Sequence, residues 1–350
     1  MTIKGLDRHL TENANIRGDD PFNDVRLRFF PRHWITDRLA VFGEILYDSG
    51  VNRGSPLRVN GAYLVINELF SQPWLSLKAG LIPSPFGNYS LRGTYFNLNP
   101  LIGVPLMWHH RTPLPNGMYA TNTGLLANKG DGEVYMPIAY DACWDRGWEL
   151  FGEAGKLEYS LALTEGTLSN PTESSNDGRQ IIARLGLNPI MALRLGGSVA
   201  RGSYLNSGAA DSLYKRVEDF TATVLGLYAE LKTGYLQLHS EWISSSWESP
   251  YISNDQRVSA FSGYLEGRYD VLPSLYVAAR IDHFGYSNID NPDSGRSEPW
   301  GDPLNRVEIG FGYRLAREAL VKVVYQRSDY RSRSASDDPH VVALQLHMVF

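Results

Sequence analysis

A single cysteine, Cys143, in 350 residues excludes an internal disulfide framework, a multi-cysteine metal site and a C-x-x-C-H haem attachment within this chain. Long apolar runs are missing too: nothing approaches the ~18 consecutive residues of a membrane helix. Helical signals are poor, with no extended stretch of apolar residues at three- and four-residue spacing. There is no basic run, and the formal net charge is −5, so nucleic acid is not an expected partner. Ser, His and Asp occur at no spacing that singles out a triad, and no third ligand accompanies His109 and His110 to make a metal site. Neither an enzyme nor a bound cofactor is expected. No signal-peptide pattern precedes the first alternating segments, so the sequence reads as a mature or trimmed chain, which does not argue for the cytosol.

What is present is aromatic and turn-rich: Tyr 20, Phe 13, Trp 8, Gly 33 and Pro 19. That composition suits many strands joined by turns. Alternating segments recur along the whole chain, with polar residues on one parity. Val25, Leu27 and Phe29 oppose Arg26 and Arg28. Leu157, Leu161 and Leu163 oppose Lys156, Glu158 and Ser160. Val307, Ile309 and Phe311 oppose Arg306, Glu308 and Gly310. The connections alternate as well. Short ones fall at 31–37, 70–74, 153–156, 188–192, 232–235, 271–274 and 316–319. Long polar ones fall at 48–56, 166–179, 202–218, 244–257, 287–304 and 328–339. Tight turns on one rim and long loops on the other are the pattern of an outer-membrane barrel.

About fifteen alternating segments follow residue 25. An even strand number, with both termini at the short-turn rim, then requires one more strand before residue 23, and TIKGLDRHL (2–10) is the candidate. The expected fold is all-β: one closed antiparallel transmembrane β-barrel of about 16 strands over 1–350. It has short periplasmic turns and long extracellular loops, and sits among lipid and lipopolysaccharide in a bacterial outer membrane. The closing segment HVVALQLHMVF alternates large apolar residues up to Phe350. It resembles the sorting signal of outer-membrane proteins that the barrel-assembly machinery recognises.

A barrel of that size encloses water, so the polar parity is expected to face a lumen. It places Arg26, Arg28, Arg58, Lys78, Arg184, Arg194, Arg268, Arg280, Arg306, Arg314 and Lys322 inward. Glu44, Glu149, Glu153, Glu158, Glu230, Glu241, Glu266, Asp282 and Glu308 face the same way. The signs nearly balance, which reads either as a self-neutralised ladder or as a path for anions with arginine on one side. Lysine is scarce against arginine, which suits forked, paired contacts. The long segment 83–145 contains IPSPFGNYSLRGTYFNLNPLIGVPLMWHHRTPLPNGMY, too apolar to project freely into water. It is expected to fold into the lumen, burying Leu101, Ile102, Leu106, Met107 and Trp108 and lining a constriction with Arg92, His109, His110 and Arg111.

The block RLRFFPRHWITDRLAVFGEILYD, then AYLVI, then LSLKAGLIPSPFG resembles the first hairpins of the phosphate-selective porin (O and P) type family and its broader porin relatives. Gly80 to Gly87 matches the G-x-x-x-x-P-F-G element that precedes a pore-narrowing loop in those proteins. The resemblance implies a trimeric, sixteen-stranded porin that passes small, often anionic, solutes. A lysine-rich ladder is absent, which sets phosphate selectivity apart from the rest of that expectation. The expected function is passive diffusion of small hydrophilic solutes with a modest anion bias. The alternative is a barrel that sheathes a partner, such as a multihaem cytochrome in an electron-transfer conduit.

Overall fold

The computed structural model describes residues 2–3, 25–50, 54–89, 98–116, 121–129, 136–139, 144–170, 176–209, 216–249, 257–331 and 340–350. Its strands are β1 (Thr2–Ile3), β2 (Arg26–Phe29), β3 (Arg32–Trp34), β4 (Leu39–Asp48), β5 (Leu57–Ile66), β6 (Ser76–Pro83), β7 (Trp144–Ala154), β8 (Leu157–Thr164) and β9 (Gln180–Ile190). There follow β10 (Leu193–Ser203), β11 (Thr221–Thr233), β12 (Leu236–Glu248), β13 (Arg257–Leu272), β14 (Leu275–Tyr286), β15 (Asn288–Asp290), β16 (Ser297–Pro299), β17 (Leu304–Ala316), β18 (Ala319–Tyr330) and β19 (His340–Met348).

Each wall strand pairs antiparallel with the next, from β4 through β14 and on through β17, β18 and β19. β15 and β16 form a separate small hairpin in the connection after β14. β2 and β3 are one strand in one register along β4: Phe29 lies opposite Ile45 and Arg32 opposite Phe42. The interruption at Phe30 and Pro31 reflects the missing proline N–H, and the Pro31 carbonyl still accepts from Gly43 N at 2.9 Å. The expected turn at 31–37 is therefore shorter, because the strand runs through Trp34. β1 adds to the far edge of β19, with Thr2 opposite Ala343 and Ile3 opposite Val342. This is where the expected N-terminal strand starts; its residues 4–10 lie outside the described residues. The wall is a sixteen-stranded antiparallel barrel.

The two rims differ as the sequence spacing implies. Two-residue turns at 155–156, 191–192, 234–235, 273–274 and 317–318 close one end. Gly155 and Gly234 supply the left-handed residue in their turns (φ 65° and 54°), a conformation that costs other residues a Cβ clash. The β5–β6 connection at 67–75 is the longer one at this end, and the opposite end carries those at 49–56, 84–143, 165–179, 204–220, 249–256, 287–303 and 331–339.

The faces differ just as sharply. Ile309 is 49% exposed and Leu227 67%, while Arg306 and Glu308 on the other face are 1% and 0%. Leu157, Leu161 and Phe311 also stand outward and exposed. Apolar outside and charged inside inverts the pattern of a water-soluble β-protein and fits a wall bathed in lipid. No helix among the described residues is long and apolar enough to cross a membrane.

Candidate pore lining and constriction

The described parts of segment 83–145 lie against inward-facing side chains of the wall. The segment leaves β6 through the P-F-G element. Phe86 is fully buried and fits over Gly226 of β11, where a Cβ would come within 2.8 Å of the ring. Gly87 is left-handed (φ 66°), and a Cβ there would run into the Glu241 carboxylate. That bare backbone lets Gly87 N donate to Ser198 Oγ of β10 at 3.0 Å. Asn88 N and Tyr89 N then donate to the two Glu241 oxygens of β12 at 2.9 and 3.2 Å. The glycine thus allows the chain to turn inward and meet a carboxylate at close range.

Further on, the segment is fixed to the other side of the wall. Ile102 N and Gly103 N donate to Glu308 Oε1 of β17 at 3.2 and 2.9 Å, and Leu106 N to Asp282 Oδ1 of β14 at 3.1 Å. In return Lys322 Nζ of β18 donates to the Asn99 carbonyl at 2.7 Å and Arg280 Nη2 to the Gly103 carbonyl at 2.9 Å. Arg306 donates to the Val104 carbonyl. Arg280 is held by Glu266 (3.1 Å), Asp282 (3.0 Å) and Glu308 (2.7 Å), and Arg306 by Asp282 at 3.3 Å. Buried charges of both signs are tolerable here because nearly every oxygen and N–H meets a partner.

A short helix, α1 (Leu106–His109), follows this anchor. Leu101, Leu106, Met107 and Trp108 are fully buried, with Trp108 stacked on Tyr89 at 5.7 Å between centroids; Ile102 is only partly buried. The returning chain at Met136 pairs with Thr112 and Leu114.

This docking divides the inner wall. On β13, β14 and β17 the expected lumen residues Glu266, Arg280, Asp282, Arg306 and Glu308 have side chains 0–1% exposed. They face the segment and not open water, a correction to the ladder expected from parity alone. On the β2–β10 side the charged groups keep access. Arg26 pairs with Asp48 at 3.0 Å (side chains 16% and 2% exposed), Arg28 with Glu44 at 3.0 Å (16% and 1%) and Arg58 with Asp48 at 3.8 Å (14% and 2%). Lys78 pairs with Glu149 at 2.8 Å (20% and 3%). Arg194 bonds Glu158 and lies 3.7 Å from Glu230, while Arg184 is 3.6 Å from Glu158. In the first four pairs the cation stands forward and the carboxylate lies beneath it.

Arg268 pairs with Asp270 at 2.7 Å near the short-turn rim, where Glu153 and Arg314 are exposed. The expected constriction group falls differently. His110 and Arg111 are 6% and 4% exposed, inside the seam between segment and wall. His110 Nε2 meets the Tyr286 hydroxyl at 3.0 Å and its ring lies edge-on to Phe284 at 4.6 Å. Arg92 and the side chain of His109 lie outside the described residues. Two groups escaped the sequence reading. Asp48 ends β4 where a loop was expected, and Arg32 sits in the strand stretch hidden by Pro31. The continued alternation Arg26-x-Arg28-x-x-x-Arg32-x-Trp34 was the available signal.

Solved structures with a similar fold are outer-membrane proteins. OmpF of Salmonella typhi, in complex with daunomycin, aligns at TM-score 0.59 with 12% identity over 99% of this chain and 94% of that one. The anion-selective porin of Comamonas acidovorans aligns at 0.57 with 9% identity over 94% and 90%. A trimer form of OmpT of Vibrio cholerae aligns at 0.52 with 10% identity over 93% and 96%. The fold is the porin barrel. At these identities the likeness concerns the fold alone. No protein-family model matches the sequence, and no curated protein matches it.

Phe350, beyond the end of β19, is fully exposed. Between Pro83 and Ala139 the described residues include no Asp or Glu.

Proposed function

We propose that the chain is an outer-membrane porin: a single barrel domain, assembled as a homotrimer, through which small hydrophilic solutes diffuse passively, with a preference for anions. Segment 83–145 narrows the lumen from one side, and the path runs along the β2–β10 wall. One observation carries the anion preference: Arg26, Arg28, Arg58 and Lys78 stand forward while their carboxylates are 1–3% exposed. A passing ion meets the cation first, and charge at close quarters selects. The trimer rests on the trimer form among the structural neighbours, and an anion-selective porin is another of them.

Phosphate selectivity is not part of this reading. The forward cations are mostly paired arginines, which suit a general electrostatic bias more than a dedicated phosphate track. A threaded partner protein is disfavoured because it would have to displace a segment held by Glu241, Asp282, Glu308, Arg280 and Lys322.

Planar-bilayer recording in a KCl gradient tests the reading. An open ohmic pore with a reversal potential on the chloride side is expected. Arg28→Ala with Arg58→Ala should lower the chloride-to-potassium permeability ratio roughly two- to fivefold, since a unit charge about 4–8 Å from a passing ion contributes about 0.5–1 kcal/mol in water. Absence of conductance would overturn the porin reading, and an unchanged ratio would remove these arginines from the path.

A further inference from the structure

Arg32 stands apart from the other inward cations. Four cations stack on aromatic rings among the described residues. Lys78 lies over Phe151 at 4.3 Å, Arg194 over Tyr228 at 5.7 Å, Arg268 over Tyr276 at 4.0 Å, and Arg32 over both Trp34 (4.8 Å) and Phe42 (5.1 Å). The first three also hold a carboxylate: Glu149, Glu158 and Asp270. Arg32 holds none among the described residues, and it is exposed.

Its side of the wall follows from the register. Arg32 lies opposite Phe42 and Trp34 opposite Ala40. Phe42 in turn lies opposite Tyr63, with the rings stacked at 5.4 Å and 7°. Ala40 is fully buried and Glu44, on the same face of β4, pairs with the inward Arg28. Arg32, Trp34, Phe42 and Tyr63 therefore form one inward platform near the short-turn rim, below Arg28 on the same strand. A guanidinium whose carbon lies over two rings still has forked N–H groups to offer, and such a fork takes a carboxylate through two parallel bonds. Trp34, 42% exposed, offers an indole face beside it for a second ring.

We propose that this platform is a binding site for aromatic carboxylates, the carboxylate on the Arg32 fork and the ring against Trp34, placed at the short-turn end of the permeation path. The inference rests on the porin reading and names a solute class for it.

Benzoate and acetate carry the same charge and differ in the ring, so they separate the two parts of the site. Each is titrated into KCl across a bilayer holding the purified pore, and the fall in chloride current is followed. Benzoate is expected to half-reduce its share of the current at a concentration about two- to tenfold lower than acetate, the range of one aromatic stacking contact. Trp34→Ala should abolish that difference and leave the acetate titration in place. Arg32→Ala should weaken both anions, and Arg32→Lys should keep acetate but lose part of the benzoate advantage. Each variant is checked for the KCl conductance of a folded pore, and quenching of tryptophan emission by benzoate in detergent gives a second readout. A conducting pore that benzoate and acetate affect alike overturns the site while the porin reading stands. A silent barrel overturns both.

Discussion

Gly87 concentrates in one residue the requirements that bring the long segment inward. Its φ of 66° is unfavourable for any residue with a Cβ, and the space beside it is taken by Glu241. Gly87→Ala should leave the ladder of strands intact and dislodge the contacts at Asn88 and Tyr89, at a cost of about 1–3 kcal/mol from overpacking. The expected outcome is a pore that still migrates as a folded barrel on an unheated gel, unfolds at lower temperature, and conducts more with greater noise. Unchanged conductance would mean that this end of the segment does not bound the path. At this scale the sequence displayed parity well, and the alternation put Arg28, Lys78, Glu149, Arg280 and Glu308 on the inner face. It did not display partners. Which carboxylate lies beneath which arginine depends on register between strands far apart in sequence, as with Lys78 and Glu149. Whether a charge meets water or backbone depends on a segment remote from both.

Among the elements, segment 83–145 and the β2–β3 strand show where local pattern stops being informative. Proline at position 31 reads as the start of a turn, yet it is tolerated because its missing N–H interrupts the ladder for only two residues while the register continues. The segment's apolar run was legible as something to be buried, whereas its anchors are backbone groups that no side-chain pattern marks. Gly103 and Leu106 are held by their N–H groups, and Asn99, Gly103 and Val104 by their carbonyls. Glu308 is the pivot, accepting from Ile102, Gly103, Arg280 and Gln326. Glu308→Ala should leave Arg280 short of one anion and two backbone donors without an acceptor, destabilising the docked segment by about 3–5 kcal/mol. Glu308→Gln keeps an acceptor of the same shape and should cost clearly less. Measuring the heat-induced mobility shift and the single-channel conductance of both variants checks this. Equal behaviour of the two would show that charge and not backbone docking is what Glu308 supplies.

For the molecule as a whole, the formal charge is −5, yet on the β2–β10 side Arg26, Arg28, Arg58 and Lys78 are more exposed than the carboxylates they pair with. Net charge and local field therefore point in opposite directions, and the path should respond to the local one. The forward arginines act through water, so their reach is set by screening: about 10 Å at 0.1 M salt and about 3 Å at 1 M. On the proposed path, a chloride ion at 0.1 M would feel Arg26, Arg28 and Arg58 across the lumen, while at 1 M only an ion nearly touching the wall would. The chloride-to-potassium permeability ratio is therefore expected to be highest in dilute salt and to fall toward one as both solutions are raised to 1 M at a fixed gradient. A size filter would give a ratio indifferent to salt, and control by the net charge would give a cation preference that grows on dilution. Either result would remove the buried-acid, forward-arginine arrangement as the source of selectivity, whereas a chloride preference that fades with salt would tie it to those side chains.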